Sequence, residues 1–403
     1  MSFQMVSRQR TAEDSPRRFG YEQACEVQRY HQSFPEYQLT PLAAMPSLAK
    51  LLGVGGIYVK DESYRFGLNA FKVLGGSYAI GRYIAKRLGM AAGELSYAGI
   101  TADEVRRQLG AMTFVTATDG NHGRGVAWTA NRLQQKSVVY MPKGSSAERL
   151  ANILALDSDA SITALSYDDA VRHAKEQAQQ YGWALIQDTD WDGYTEVPEW
   201  IMQGYTTMAW EAVQQLHGQR PTHIFLQAGV GAMSGALTAF FADLYGDGAD
   251  APILTIVEPE KANCIYRTAA ADDGKLHFAE GDMSTIMAGL ACGEPCTTGW
   301  RMLRSHADHF ASVPDFTAAE GMRIAGNPLP GDTRVISGES GAVTLGFLAC
   351  VMRSPELQGL RERLRLGKDS RVLCFSTEGA TDRANYQRIV WDGAWAAEKE
   401  FFC

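Results

Sequence analysis

The sequence predicts an α/β fold of two doubly wound domains with mainly parallel sheets, and three observations carry that reading. From about residue 112 onward, short runs rich in β-branched and aromatic residues alternate with amphipathic stretches of helical period. The runs are nearly continuous in apolar character, as expected of strands covered on both faces by helices. A chain of 403 residues is also too long for one small core, so one large or two medium domains are expected.

The predicted strands, in order, are "MTFVTA" (112–117), "SVVYM" (137–141), "SITAL" (161–165), "WALIQD" (183–188), "HIFLQA" (223–228), "ILTIVE" (253–258) and "RVLCFS" (371–376). Stretches such as "YDDAVRHAKEQAQQYG" and "VPEWIMQGYTTMAWEAVQQL" lie between them and carry apolar residues at helical spacing. Met90 to Gly110 reads as an inserted helical segment, and "GDGAD" and "GNPLPGDTR" read as loops. In sheets of this kind ligands sit beyond the carboxyl ends of the strands, so the strand-end loops are where chemistry is expected.

A net charge of −8 and a pI near 5.6 argue against nucleic acid or an anionic membrane as the main partner. The N-terminal stretch has no apolar core of signal-peptide type, and no run is long and apolar enough to span a bilayer. Seven scattered cysteines without a CxxC pair fit a reducing compartment, and a cytoplasmic enzyme or binding protein is expected. His306 and His309 lack companions to complete a ligand set, so no metal site is expected.

Four segments carry candidate chemistry. In "GLNAFKVLGGSYA" Asn69 reads as a helix N-cap, so Lys72 falls in the first turn, amid Phe71, Val73 and Leu74 and with no carboxylate beside it in sequence. Helix dipole and desolvation both favour the free amine there. Lys72 reads either as a carbonyl-attacking lysine or as one whose stem covers apolar surface. The loop "GVGAMSGAL" after "HIFLQA" reads as an anion cup at a helix N-terminus or as tight packing. "TATDGNHGRGVA" sets Asn121 and His122 between glycines, facing a ligand or simply turning the chain. "FSTEGATD" offers the hydroxyls of Ser376 and Thr377 at a strand end, where caps are also common.

Taken together and in this order, "NAFKVLGGSYA", "DGNHGRG", "GVGAM" and "FSTEG" resemble the motifs of the fold type II pyridoxal-phosphate enzymes, the tryptophan synthase β, threonine dehydratase and cysteine synthase group. "QDTDWDGYTEVPEWIMQGY", "IMAGLACGEP" and "ISGESGAV" narrow the resemblance to the diaminopropionate ammonia-lyases, over about Tyr37 to Asp392. The resemblance implies a tryptophan synthase β-like fold with pyridoxal 5′-phosphate in the interdomain cleft. Residues 1–93 with 191–403 would form the large cofactor-binding domain, and 94–190 a small mobile one.

The resemblance further implies site roles. Lys72 would hold the cofactor and then act as base for an L-amino acid. The phosphate would lie against Gly229, Val230, Gly231, Ala232 and Met233, with Asn121 near the 3′-oxygen and Ser376 or Thr377 at the ring nitrogen. Asp119 stands where dehydratases carry a small residue; it would be the base for a D-amino acid, or else caps the following helix. Asp188 would bind the distal ammonium or assist Asp119, or else caps a strand end. A small amino acid substrate, a homodimer and α,β-elimination of ammonia from D- and L-2,3-diaminopropionate follow as expectations. A dehydratase of the same fold acting on serine, threonine or another β-substituted amino acid is the alternative. Finally, the segment from Cys264 to Cys292 is expected to fold as a hairpin over the cofactor mouth, with the two sulfurs either paired or packed as free thiols.

Overall fold

The computed structural model describes residues 3–118 and 120–402. Its strands, in chain order, are β1 (Gln4–Ser7), β2 (Leu42–Ala44), β3 (Gly56–Asp61), β4 (Thr113–Ala117), β5 (Lys136–Met141), β6 (Asp159–Ile162), β7 (Ala184–Leu185), β8 (His223–Gln227), β9 (Ile253–Pro259), β10 (His309–Val313) and β11 (Arg371–Ser376). The larger sheet has the order β1-β10-β9-β8-β11-β3-β2, and the smaller the order β6-β5-β4-β7. Only the two edge strands run antiparallel, β1 against β10 and β2 against β3. The other pairs are parallel, as expected where a crossover helix separates successive strands. The strands of the smaller sheet all lie between Thr113 and Leu185, and those of the larger lie outside that span.

Strands β8, β9 and β10 are buried at every position, because helices cover both faces of the sheet. All seven expected strands have a counterpart, but the one expected over 161–165 is shifted to Asp159–Ile162 and another is strongly shortened. The run expected over 183–188 pairs only at Ala184–Leu185. Beyond it the Gln187 side chain accepts from the Ala117 amide at 2.9 Å, taking the place of a strand partner.

Four strands were not legible in the sequence. β1 and β2 are short edges. β10 opens on a histidine and carries small residues. β3, "GIYVKD", ends in charges that read as surface, yet Lys60 is fully buried. Its Nζ lies 2.6 Å from Glu211 Oε2, and Arg65 joins Glu211 to Glu62 in the same enclosed cluster. Two cations against two carboxylates leave no net buried charge, the condition under which such groups are tolerated inside. The inserted segment is helical as expected, over Tyr97–Thr101 and Asp103–Leu109.

The expected hairpin between Cys264 and Cys292 is not formed. Cys264 opens the helix Cys264–Ala271, and a loop and a short turn, Ala288–Leu290, lead to Cys292. The two sulfurs are not bonded to each other. The helix is favoured because the Glu258 carboxylate accepts from the amides of Ile265 and Tyr266, at 2.9 and 2.6 Å, at its otherwise unsatisfied start. The turn-rich "CGEP" instead returns the chain to Cys296, whose amide donates to the Val230 carbonyl at 2.7 Å.

Candidate active site

Both sheets reverse their winding at one point, and there crevices open at the carboxyl ends of the strands. In the larger sheet that point lies between β8 and β11, and in the smaller between β4 and β7. The four loops that follow these strands carry Gly229–Gly231, Thr377, Asn121 and Asp188, and they converge on one cavity. Lys72, Phe71, Tyr167, Tyr205, Gln227 and Glu378 complete much of its wall.

Lys72 arrives by a different route from the one expected. Asn69 is not the N-cap: it sits at φ 59° in a left-handed turn, and Lys72 is itself the residue before the helix Val73–Leu88, with no side chain capping that end. The segment is held by backbone pairing to the loop after β11. The Phe71 amide donates to the Thr377 carbonyl at 3.0 Å, and the Gly379 amide to the Asn69 carbonyl at 3.0 Å. The glycines that follow the lysine serve packing behind it. A Cβ on Gly75 would stand 2.6 Å from the Tyr205 ring, and one on Gly204 would stand 2.4 Å from the Leu74 carbonyl oxygen. Only a bare backbone permits that approach.

The lysine also has a carboxylate partner that its local sequence does not supply. Lys72 Nζ donates to Asp188 Oδ2 at 2.8 Å. Tyr167 Oη and Gln187 Nε2 donate to Asp188 Oδ1 at 3.2 and 3.1 Å, and His122 Nδ1 stands 4.0 Å from Oδ2. Burial by itself pushes the Asp188 carboxyl up. The charges of Lys72 and His122 and the hydrogen bonds from Lys72 and Tyr167 outweigh it and hold the group well below the usual carboxylate range.

Asn121 opens the helix Asn121–Arg132, and its Nδ2 donates to Glu378 Oε2 at 2.6 Å. Of the two strand-end hydroxyls, Thr377 lies on the cavity wall, and its Oγ1 accepts from Gln227 Nε2 at 2.8 Å. Ser376 Oγ donates instead to Ser337 Oγ at 2.8 Å, behind the wall. Glu339 is buried near Glu378; burial and then the Glu378 charge push its carboxyl up to about 7. Asp119 lies outside the described residues.

A family model described as pyridoxal-phosphate dependent enzyme matches residues 34–378. The chain belongs to the pyridoxal-phosphate dependent enzyme family. It is 50% identical over 381 residues to the diaminopropionate ammonia-lyase of Escherichia coli strain K12, covering 94% of each chain. Among solved structures, the E. coli diaminopropionate ammonia-lyase in complex with an aminoacrylate-PLP azomethine reaction intermediate matches with a TM-score of 0.90 at 47% identity, over 98% of both chains. The same protein in complex with D-serine matches with a TM-score of 0.91 at 47% identity, again over 98% of both chains.

The residues present fit the family's cofactor. The helix Ala232–Tyr245 points its start at the cavity, where first-turn N–H groups lack intrahelical acceptors and favour a phosphate. Gly231 at φ 90° lets the chain turn into that helix, and the Gly229–Met233 segment lines the cavity throughout. A primary amine, an amide and a hydroxyl then face the same space from Lys72, Asn121 and Thr377. A pyridoxal-phosphate enzyme needs groups of these kinds at the aldehyde, the 3′-oxygen and the ring nitrogen. Gln227, Tyr167, Tyr205 and Glu378 were not singled out from the sequence. Gln227 lies within the quoted strand "HIFLQA" and Glu378 within the quoted "FSTEGATD", a signal that was available. The two tyrosines lie inside helices and are brought to the cavity by packing alone.

Proposed function

We propose that this enzyme is a carbon–nitrogen lyase that eliminates ammonia from D- and L-2,3-diaminopropionate, giving pyruvate and ammonia. The observation that carries the reading is the Lys72–Asp188 pair on the cavity wall at 2.8 Å, a basic nitrogen beside a carboxylate kept ionised. Bound pyridoxal 5′-phosphate supplies an electron sink for the charge left at the α-carbon.

The chain's residues divide the remaining work. Lys72 would hold the cofactor and, as a free amine, would accept the α-proton of the L-isomer. Asp119 accepts that of the D-isomer from the opposite face. Asp188 attracts the distal ammonium, which its negative charge suits and a hydroxyl substrate would not need. Gly229, Val230, Gly231, Ala232 and Met233 bind phosphate, Asn121 faces the 3′-oxygen, and Thr377 rather than Ser376 meets the ring nitrogen. A hydroxyl there does not hold the nitrogen protonated as an aspartate would, which favours loss of the β-substituent over transamination.

Residues 94–190 act as a small mobile domain that closes on substrate, and scattering curves with and without a slow substrate test this. The enzyme is expected to be a cytoplasmic homodimer; light scattering of the purified protein checks the assembly. A substrate panel read by pyruvate and ammonia release decides the reaction. Because the E. coli relative has been solved with D-serine, serine of both configurations and threonine belong in the panel. A higher kcat/KM on serine or threonine than on 2,3-diaminopropionate would make the dehydratase reading the correct one.

A further inference from the structure

The geometry points to Gln227 as the residue that sets the direction of the Thr377 hydroxyl, and thereby as a positioning residue for the cofactor's ring nitrogen. This rests on the reading that Thr377 faces that nitrogen. Gln227 is the last residue of β8, fully enclosed on the cavity wall and directly upstream of the glycine loop. Its Nε2 donates to the Phe375 carbonyl oxygen at 3.0 Å and to Thr377 Oγ1 at 2.8 Å.

The orientation of this amide is set by chemistry. A backbone carbonyl oxygen only accepts, so the nitrogen and not the oxygen of Gln227 must lie on that side. Both of its N–H groups are then used, and Thr377 Oγ1 is the acceptor of the second. The hydroxyl's own proton is left to point elsewhere, and no protein acceptor takes it among the hydrogen bonds of the described residues. A neutral pyridine nitrogen accepts such a proton; a pyridinium does not. Gln227 therefore selects the unprotonated ring, and with it the weaker electron sink that favours elimination.

Two further observations agree. Ser376 offers no alternative, because its hydroxyl is committed to Ser337. Gln227 Oε1 is buried without a hydrogen-bond partner, an arrangement that costs stability and that a residue present only to tie β8 to β11 has no reason to keep.

The test is nitrogen NMR of the holoenzyme carrying cofactor isotopically labelled at the ring nitrogen. In the wild type the signal is expected at the position of a neutral, hydrogen-bonded pyridine. In Gln227→Glu an oxygen replaces the donating nitrogen and, ionised or protonated toward Phe375, accepts from Thr377. The hydroxyl then turns its lone pair to the ring, and the signal should shift toward pyridinium. Should that variant fail to fold, Gln227→Leu frees the rotor, and the ring nitrogen should protonate at a higher pH than in the wild type. A residue of purely structural role would lower the melting temperature and leave the signal unmoved, which overturns the proposal. Thr377→Val separates the two readings: if it leaves the wild-type signal unchanged, Thr377 does not face the ring and the underlying site assignment fails. A shift with Thr377→Val but none with either Gln227 variant overturns the role of Gln227 alone.

Discussion

Lys72 Nζ and Asp188 Oδ2 meet at 2.8 Å across the cleft between the two sheets, although 116 positions separate them in the chain. The lysine is carried by the larger sheet's side of the cleft, where its segment pairs with the loop after β11, and the aspartate follows β7 of the smaller sheet. Each group thus depends on the other sheet for this contact.

Replacing the lysine tests the chemical centre. Lys72→Ala is expected to abolish turnover, because on the proposed assignment the group that holds the cofactor and the base for the L-isomer are lost together. Borohydride treatment should fix the cofactor to the wild-type chain at Lys72 and leave the variant unlabelled. Pyruvate production near the wild-type rate would exclude the assignment.

Asp119→Asn is expected to damage kcat/KM on D-2,3-diaminopropionate by about 100-fold or more, the usual weight of a general base, with a much smaller effect on the L-isomer. Equal losses on both isomers would assign Asp119 a shared binding or structural role.

Removing the charge of Asp188 should be visible before any substrate is added. In the cofactor-free protein Asp188→Asn removes the carboxylate that accepts from Lys72 Nζ. We expect a loss of about 2–4 kcal/mol at neutral pH, somewhat below the range for a fully enclosed pair because the Lys72 side chain remains 18% exposed. The Asp188 carboxyl is held below its ordinary value, so this contribution is present above about pH 4 and disappears as pH falls through the folded-state value. Wild type and variant should converge in denaturant midpoint in acid and separate toward neutrality.

Glu339 behaves in the opposite sense. Its carboxyl is raised to about 7 from an ordinary 4.5, so the folded state holds the proton more tightly, and stability falls as pH rises between those values. Glu339→Gln keeps an acceptor for Asn385, which donates to this side chain, while it removes the charge beside Glu378. A gain of roughly 1–3 kcal/mol is expected at pH 8 and little change at pH 4. Melting temperatures at the two pH values provide the comparison.

The glycine loop proposed to bind phosphate rests on a helix that does not itself line the cavity. A Cβ on Gly299, in the helix Thr297–His306, would stand 2.5 Å from the Gly231 carbonyl oxygen. Gly299→Ala is therefore expected to displace the loop, at a cost of about 1–3 kcal/mol, and to speed cofactor loss on dialysis. Cofactor retention equal to the wild type would show that the loop tolerates the shift.

The sequence by itself determined the α/β class, seven strands, and the segments that supply the cavity. These features are local: apolar runs reveal buried strands, and glycines with an adjoining lysine, amide or hydroxyl reveal strand-end loops. It did not reveal β3, because the burial of Lys60 depends on Glu211 and Arg65, which reach it only through packing. Nor did it distinguish Thr377 from Ser376. Adjacent residues leaving a strand point to opposite sides, and only the position of Ser337 shows which hydroxyl is occupied and which faces the cavity. Turn composition near Cys292 suggested a hairpin, but the Glu258 carboxylate made a helix start of Cys264 instead. The tertiary structure alone decided that Lys72 has a carboxylate partner and that Gln227 donates to Thr377, since a hydrogen bond requires an approach of about 3 Å between groups that the chain connects only through strands, helices and their packing.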